Sequence, residues 1–135
     1  MSMATRLMLG IILLTVPSVV YGGLTVLGIV TSGGAGLRPR LALNPTQQAM
    51  FRAMHAHAGV LVLLSLVLQL AVDQAALSPP LAWTARVAAP LAAVVVPGGF
   101  AGIAFSRRLR VMLYAGAALL AYATVATGIG LLRSP

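Results

Sequence analysis

The chain consists of four long apolar stretches separated by short polar segments. The stretches cover about residues 7–30, 53–72, 83–105 and 109–132. Each contains the roughly 20 apolar residues that an α-helix needs to cross a hydrocarbon core of about 30 Å. The pattern predicts an all-α fold, a membrane-spanning four-helix bundle with up-down-up-down order, in one domain over residues 1–135.

Residues between the stretches mark the helix boundaries. Asn44, Pro45 and Gln47 supply a cap, a proline in the first helical turn and a Gln three positions after the cap, so helix two should begin there. The Ser-Pro-Pro segment at 78–80 is expected to end any helix. The connection at 106–110 is so short that helices three and four should form an antiparallel hairpin.

Helix three carries two prolines inside its apolar stretch. Pro90 lacks an N–H, so the carbonyl of Arg86, four positions earlier, should lose its helical partner. Pro97 is followed by Gly98 and Gly99, and we expect a helix break or a kink above about 20° at this point. Such a break can form a transport site, although a tolerated kink is the simpler interpretation.

Composition agrees with a membrane protein: 60% of the residues are hydrophobic, 7% are charged, and the mean hydropathy is +1.02. Asp73 is the only acid, and the nine basic residues are all arginines that flank the apolar stretches. A nucleic-acid binder would cluster them on a water-facing patch, so no nucleic-acid partner is expected. The expected partners are the lipid bilayer, other membrane proteins or further copies of the chain.

The arginines also predict an orientation. Loops one and three, with their flanks, carry six arginines: Arg38, Arg40, Arg52, Arg107, Arg108 and Arg110. The termini and loop two carry three: Arg6, Arg86 and Arg133. Loops one and three should therefore face the cytoplasm and both termini the outside. Arginine without lysine, among many Ala, Val, Leu and Gly residues, points to a bacterial plasma membrane. We expect the first stretch to be an uncleaved helix.

Both histidines lie at the start of helix two. His55 and His57 are two positions apart, so on a helix their rings point to opposite sides and cannot chelate one ion. Along the face of His55 lie Gly59, Gln69 and Asp73, which predicts an interior polar stripe. The face of His57 carries leucines. We therefore expect His55 to point into the bundle and His57 toward the interface.

The chemistry available to these residues is limited. Without cysteine and with one carboxylate, the chain offers no disulfide, no thiolate metal site and no carboxylate pair, so no catalytic or metal residue is predicted. His55 could form an interhelical hydrogen bond, to Tyr21, Thr25 or a carbonyl, or could serve as a haem ligand, quinone contact or proton carrier. Bis-histidine haem needs ligands from two facing helices, and only helix two has any. No cofactor is predicted, and haem is an alternative that requires a homodimer.

The segment Phe51-Arg52-Ala53-Met54-His55-Ala56-His57-Ala58-Gly59-Val60, after Asn44-Pro45 and with Tyr21-Gly22-Gly23 in helix one, resembles small uncharacterised bacterial four-helix membrane proteins. Those proteins share a His-Ala-His-Ala-Gly segment at the start of helix two. The resemblance covers the first half of the chain. It implies fold and location, and no activity.

Three hypotheses for function follow. The first is a non-enzymatic accessory or structural component of a membrane complex, favoured by small size and the absence of catalytic groups. The second is a haem- or quinone-associated redox module around His55. The third is a small oligomeric transporter that uses the Pro97 break and Asp73.

Overall fold

A computed structural model describes residues 1–31 and 43–135 of the chain. The helices are α1 (Met3–Thr31), α2 (Pro45–Gln74), α3 (Pro79–Ile103) and α4 (Arg110–Leu132), with a 3₁₀ turn at Arg107–Leu109. All four are long and apolar enough to cross a membrane. No strand occurs in these two ranges. The predicted fold, an all-α membrane-spanning four-helix bundle, is confirmed.

Contacts at the two ends define the topology. At one end, Ala76 in the α2–α3 connection donates its N–H to the carbonyl of Gly130 near the end of α4 (2.9 Å). At the other, the side chain of Gln47 in the first turn of α2 donates to the carbonyl of Ala104 after α3 (3.1 Å). The helices therefore run up-down-up-down. We name these the terminal end, which holds both termini, and the hairpin end, which holds the α3–α4 turn.

The four helices are not equally buried. In the most apolar 18-residue window of α3, 39% of the residues are buried, against 6% in that of α1. α3 packs between α2 and α4 through small side chains, including Ala85, Ala89 and Ala92, which are fully buried. Small residues allow helix backbones to approach closely in a membrane. α1 lies along α2 and is the peripheral helix of the bundle.

The predicted start of α2 is confirmed. Asn44 is the N-cap; its side chain accepts a hydrogen bond from the N–H of Gln47 (2.9 Å), and the Gln47 side chain accepts one from the N–H of Asn44 (3.0 Å). Pro45 occupies the first helical position. α2 consequently starts about two turns before its apolar stretch.

No helix continues into the Ser-Pro-Pro segment from α2, which ends at Gln74, and the segment also begins α3. Ser78 is the N-cap of α3, with extended backbone angles (φ −64°, ψ 151°), and Pro79 and Pro80 form its first positions. The first N–H groups of a helix have no intrahelical acceptor, so a proline there removes no hydrogen bond.

Pro97, Gly98 and Gly99 lie inside one continuous helix, and the kink predicted at this point stays a prediction. α3 is helical without interruption from Pro79 to Ile103. The φ angle of proline suits a helix, and Pro97 removes only one hydrogen bond of the ladder. The glycines serve contact with α4: a Cβ at Gly99 would lie 2.7 Å from Cδ2 of Leu113 and 3.0 Å from its backbone nitrogen.

Candidate functional site

Polar side chains of three helices meet at the terminal end. We call this group the terminal cluster; it consists of Ser2, Thr5, Gln69, Asp73 and Arg86. Thr5 and Gln69 are fully buried, and Arg86 is 5% exposed. The cluster contains the only acid of the chain.

An ion pair forms the centre of the terminal cluster. Nη2 of Arg86 lies 2.5 Å from Oδ1 of Asp73. Oδ1 also accepts hydrogen bonds from the hydroxyls of Ser2 and Thr5, both at 2.7 Å. Oδ2 accepts one from the backbone N–H of Ser2 at 2.7 Å. The carboxylate therefore receives four donors, all from its own chain.

The guanidinium of Arg86 joins α3 to both α1 and α2. Nη1 donates to the hydroxyl of Thr5 in α1 and to the backbone carbonyl of Gln69 in α2 (3.2 Å). The side-chain oxygen of Gln69 lies at 3.5 Å. Hydrogen bonds that involve an ionised partner are stronger than neutral ones. This network is thus the main polar link between the thinly packed α1 and the rest of the bundle.

Gln69 satisfies the carbonyl that Pro90 leaves free. Its Nε2 donates to the carbonyl of Arg86 at 2.8 Å, the group that the sequence predicts to lack a helical partner. An unpaired carbonyl inside a membrane protein would cost several kcal/mol, roughly. The contact explains why a glutamine is fully buried in a membrane-spanning helix.

Sequence reasoning missed the role of Arg86. It was counted with the arginines that flank the apolar stretches, whereas the structure buries it and pairs it with Asp73. A signal was present: Arg86 lies inside the third apolar stretch, beyond Trp83, and the only acid of the chain is 13 positions earlier. Opposite charges at similar depth on consecutive antiparallel helices are candidates for pairing.

His55 packs against the backbone of α1. A Cβ at Gly23 would lie 2.5 Å from Cε1 and 2.6 Å from Nε2 of the half-buried imidazole, so any larger residue at position 23 would displace the ring. The suggested partners Tyr21 and Thr25 do not bond to it; the Thr25 hydroxyl donates to the carbonyl of Tyr21 (3.0 Å). Among the described residues, His55 is held by packing and makes no hydrogen bond.

His57 faces another neighbour. It is exposed, its Nδ1 lies 2.7 Å from the carbonyl of Ala53, and its ring lies 4.6 Å, centroid to centroid, from that of Phe100 in α3. The two imidazoles therefore contact α1 and α3 separately. Residues 1–31 and 43–135 contain no group of three His, Cys, Asp or Glu side chains that could hold a metal ion.

The predicted polar stripe is divided between the two halves of α2. Gln69 and Asp73 both belong to the terminal cluster. Gly59 is half-buried, and a Cβ built on it would have no atom within 4 Å, so no helix approaches it closely. Of the predicted stripe, Gln69 and Asp73 form polar contacts near the terminal end, and Gly59 does not take part in them.

Comparison with known proteins finds no match for this chain among protein-family models, curated proteins or solved structures.

Proposed function

We propose that the protein is a non-enzymatic structural or accessory component of a membrane complex. The observation that carries this proposal is the saturation of Asp73, whose two oxygens accept four donors from Ser2, Thr5 and Arg86. A carboxylate with this many internal donors holds helices together. Binding a cation or carrying a proton would require it to give up those bonds.

The peripheral position of α1 supports the same proposal. Large apolar side chains point away from the bundle along its length, including Leu13, Leu14, Val20, Tyr21 and Leu24. Gly22 lies among them, and a Cβ built on it would have no atom within 4 Å. Small residues on such a face let another transmembrane helix approach closely. We propose that α1 is the helix that contacts the complex.

Blue-native electrophoresis of mildly solubilised source membranes tests the proposal. We expect the tagged chain to migrate in one discrete complex with other polypeptides at fixed stoichiometry. Gly22→Leu on α1 should release it, and Gly128→Leu on α4, also at a position with open space, should leave the complex intact. Migration only as a monomer or homo-oligomer would contradict the accessory role.

A redox module is the second candidate, and one contact favours it. Because Nδ1 of His57 is engaged by the carbonyl of Ala53, Nε2 is the available ring nitrogen, as in many metal-ligating histidines. Haem held by this imidazole or by His55 would need a second axial ligand from another copy of the chain. A Soret band that copurifies with the protein in mild detergent would favour this candidate over the structural one.

No observation favours the transporter hypothesis over the structural one. It required an interrupted helix at Pro97 and an available carboxylate at Asp73. α3 is continuous, and the carboxylate is fully paired.

We propose a bacterial plasma membrane as the location, with loops one and three in the cytoplasm. Burial of Arg86 inside the bundle supports the orientation, because among the described residues Arg6 and Arg133 are then the exposed arginines on the terminal side. A reporter enzyme active only in the cytoplasm should work when inserted beside Arg108 and fail when fused after Pro135. The opposite pattern would reverse the orientation.

A further inference from the structure

Within residues 1–31 and 43–135, the hairpin end presents four exposed arginines without an acidic neighbour. They are Arg52 on α2, Arg107 and Arg108 on the 3₁₀ turn, and Arg110 at the start of α4. The only acid of the chain, Asp73, lies at the terminal end and is paired with Arg86. Nothing in the chain can therefore neutralise these cations.

Contacts between α2 and the α3–α4 turn hold the arginines together. The side chain of Gln47 donates to the carbonyl of Ala104 (3.1 Å). The rings of Phe51 and Phe105 meet edge to face, with centroids 6.1 Å apart. Arg52 follows Phe51 directly, so it is carried by the turn of α2 that packs beside residues 104–110.

Apolar side chains are exposed beside the same arginines. Phe105 is 67% exposed and Leu109 is 38% exposed. The 3₁₀ turn and α4 also begin here, with no acid in their first turns and no side-chain cap. The surface combines uncompensated positive charge with apolar area, both at the end of membrane-spanning helices.

We propose that the hairpin end binds an anionic phospholipid, a glycerophospholipid with a net negative headgroup. The guanidiniums of Arg107, Arg108 and Arg110 contact the phosphate, which arginine binds in bidentate fashion, and Arg52 contributes from α2. The acyl chains lie against Phe105 and Leu109. A soluble phosphate would use only the charges, whereas a lipid uses the charges and the apolar surface together.

Lipid titration followed by native mass spectrometry tests this proposal. Protein in a neutral detergent is titrated with phosphatidylglycerol, phosphatidylcholine, glycerol phosphate or a short DNA duplex. We expect phosphatidylglycerol to bind at least about 30-fold more tightly than phosphatidylcholine, since each juxtamembrane arginine contributes about 5-fold. Glycerol phosphate, which has the charge without the chains, should bind much more weakly.

Two matched double variants locate the site. Arg107→Gln with Arg108→Gln removes two exposed arginines from the hairpin end, and Arg6→Gln with Arg133→Gln removes two from the terminal end. The first should weaken phosphatidylglycerol binding by about 30-fold and the second by less than about 2-fold. The Arg107→Lys and Arg108→Lys pair should fall between the first variant and the native protein, because lysine keeps the charge and loses the bidentate contact.

Several results would overturn the proposal. Equal binding of the two lipids would show that charge does not select the headgroup, and equal loss in both double variants would show that the site is not at the hairpin end. Glycerol phosphate or DNA binding as tightly as phosphatidylglycerol would assign the arginines to a soluble anion or to nucleic acid. If the Arg107 and Arg108 variant does not fold, Arg52→Gln and Arg110→Gln provide the same comparison singly.

Discussion

The two ends of the bundle differ in the burial and the bonding partners of their arginines. At the terminal end, Arg86 is 5% exposed and donates to α1 and α2. At the hairpin end, the arginines of the 3₁₀ turn are exposed and have no acid nearby. A guanidinium below the headgroups needs a full set of internal partners, whereas one at headgroup level is satisfied by water and phosphate. Depth and partners, more than residue type, thus decide whether an arginine stabilises the fold.

The strongest test of this contrast is to remove one arginine from each end. Arg86→Met leaves the nearly buried Asp73 carboxylate without its counter-ion, with donors from Ser2 and Thr5 alone, so we expect a loss of about 3 kcal/mol in the free energy of unfolding. Arg108→Met should change that free energy by no more than about 0.5 kcal/mol. Unfolding in mixed detergent micelles measures both, and equal losses would remove the distinction between the ends.

A second comparison uses two glutamines that each donate to a backbone carbonyl of α3 or its C-cap. Gln69 is fully buried, and Gln47 at the hairpin end is half-buried. Gln69→Leu should lower the unfolding free energy by about 1–3 kcal/mol, because the carbonyl of Arg86 is then unsatisfied away from water. Gln47→Leu should lower it by less, about 1 kcal/mol, since water can replace the amide.

Pro90→Ala should restore part of the stability that Gln69→Leu removes. Alanine supplies the backbone N–H that proline lacks, so the carbonyl of Arg86 regains its helical partner. In the Pro90→Ala background, Gln69→Leu should therefore lower the free energy of unfolding by about 1 kcal/mol less than it does in the native protein. An undiminished loss in the same unfolding assay would show that Gln69 stabilises the bundle through another contact.

Another prediction concerns the contact between α1 and His55. Gly23→Ala places a Cβ against the imidazole and should lower the unfolding free energy by about 1–2 kcal/mol, and His55→Ala should abolish that loss. Gly22→Ala, at a position with open space, should be neutral or stabilise by up to about 1 kcal/mol. The thermal unfolding midpoint in detergent distinguishes them. Similar midpoints for the two alanine variants would show that the ring does not rest on Gly23.

The sequence predicts the helices well because their signals are local. Span length, the Asn44 cap and the short 106–110 connection each depend on residues close together in the chain. The kink at Pro97 stays a prediction, because a continuous helix can still bend at a proline. The sequence did not indicate that Gly99 would pack against Leu113 of α4, since that contact depends on which helices are adjacent.

The terminal cluster could be predicted only in part. Gln69 and Asp73 were placed together because they share a helical face, and the free carbonyl beside Pro90 followed from covalent structure. The pairing of Arg86 with Asp73 and the role of Thr5 depend on which helices are adjacent and at what depth. One sequence does not give that information.

The central claim is that the ion pair of the terminal cluster stabilises the packing of the helices. A double-mutant cycle on Asp73 and Arg86 tests it most directly. Unfolding free energies are measured in detergent for Asp73→Asn, Arg86→Met, the combined variant and the native protein. We expect the combined variant to lose about 2–3 kcal/mol less than the sum of the single losses, because neither charge is then buried without its partner. Losses that add to within about 0.5 kcal/mol would contradict the claim.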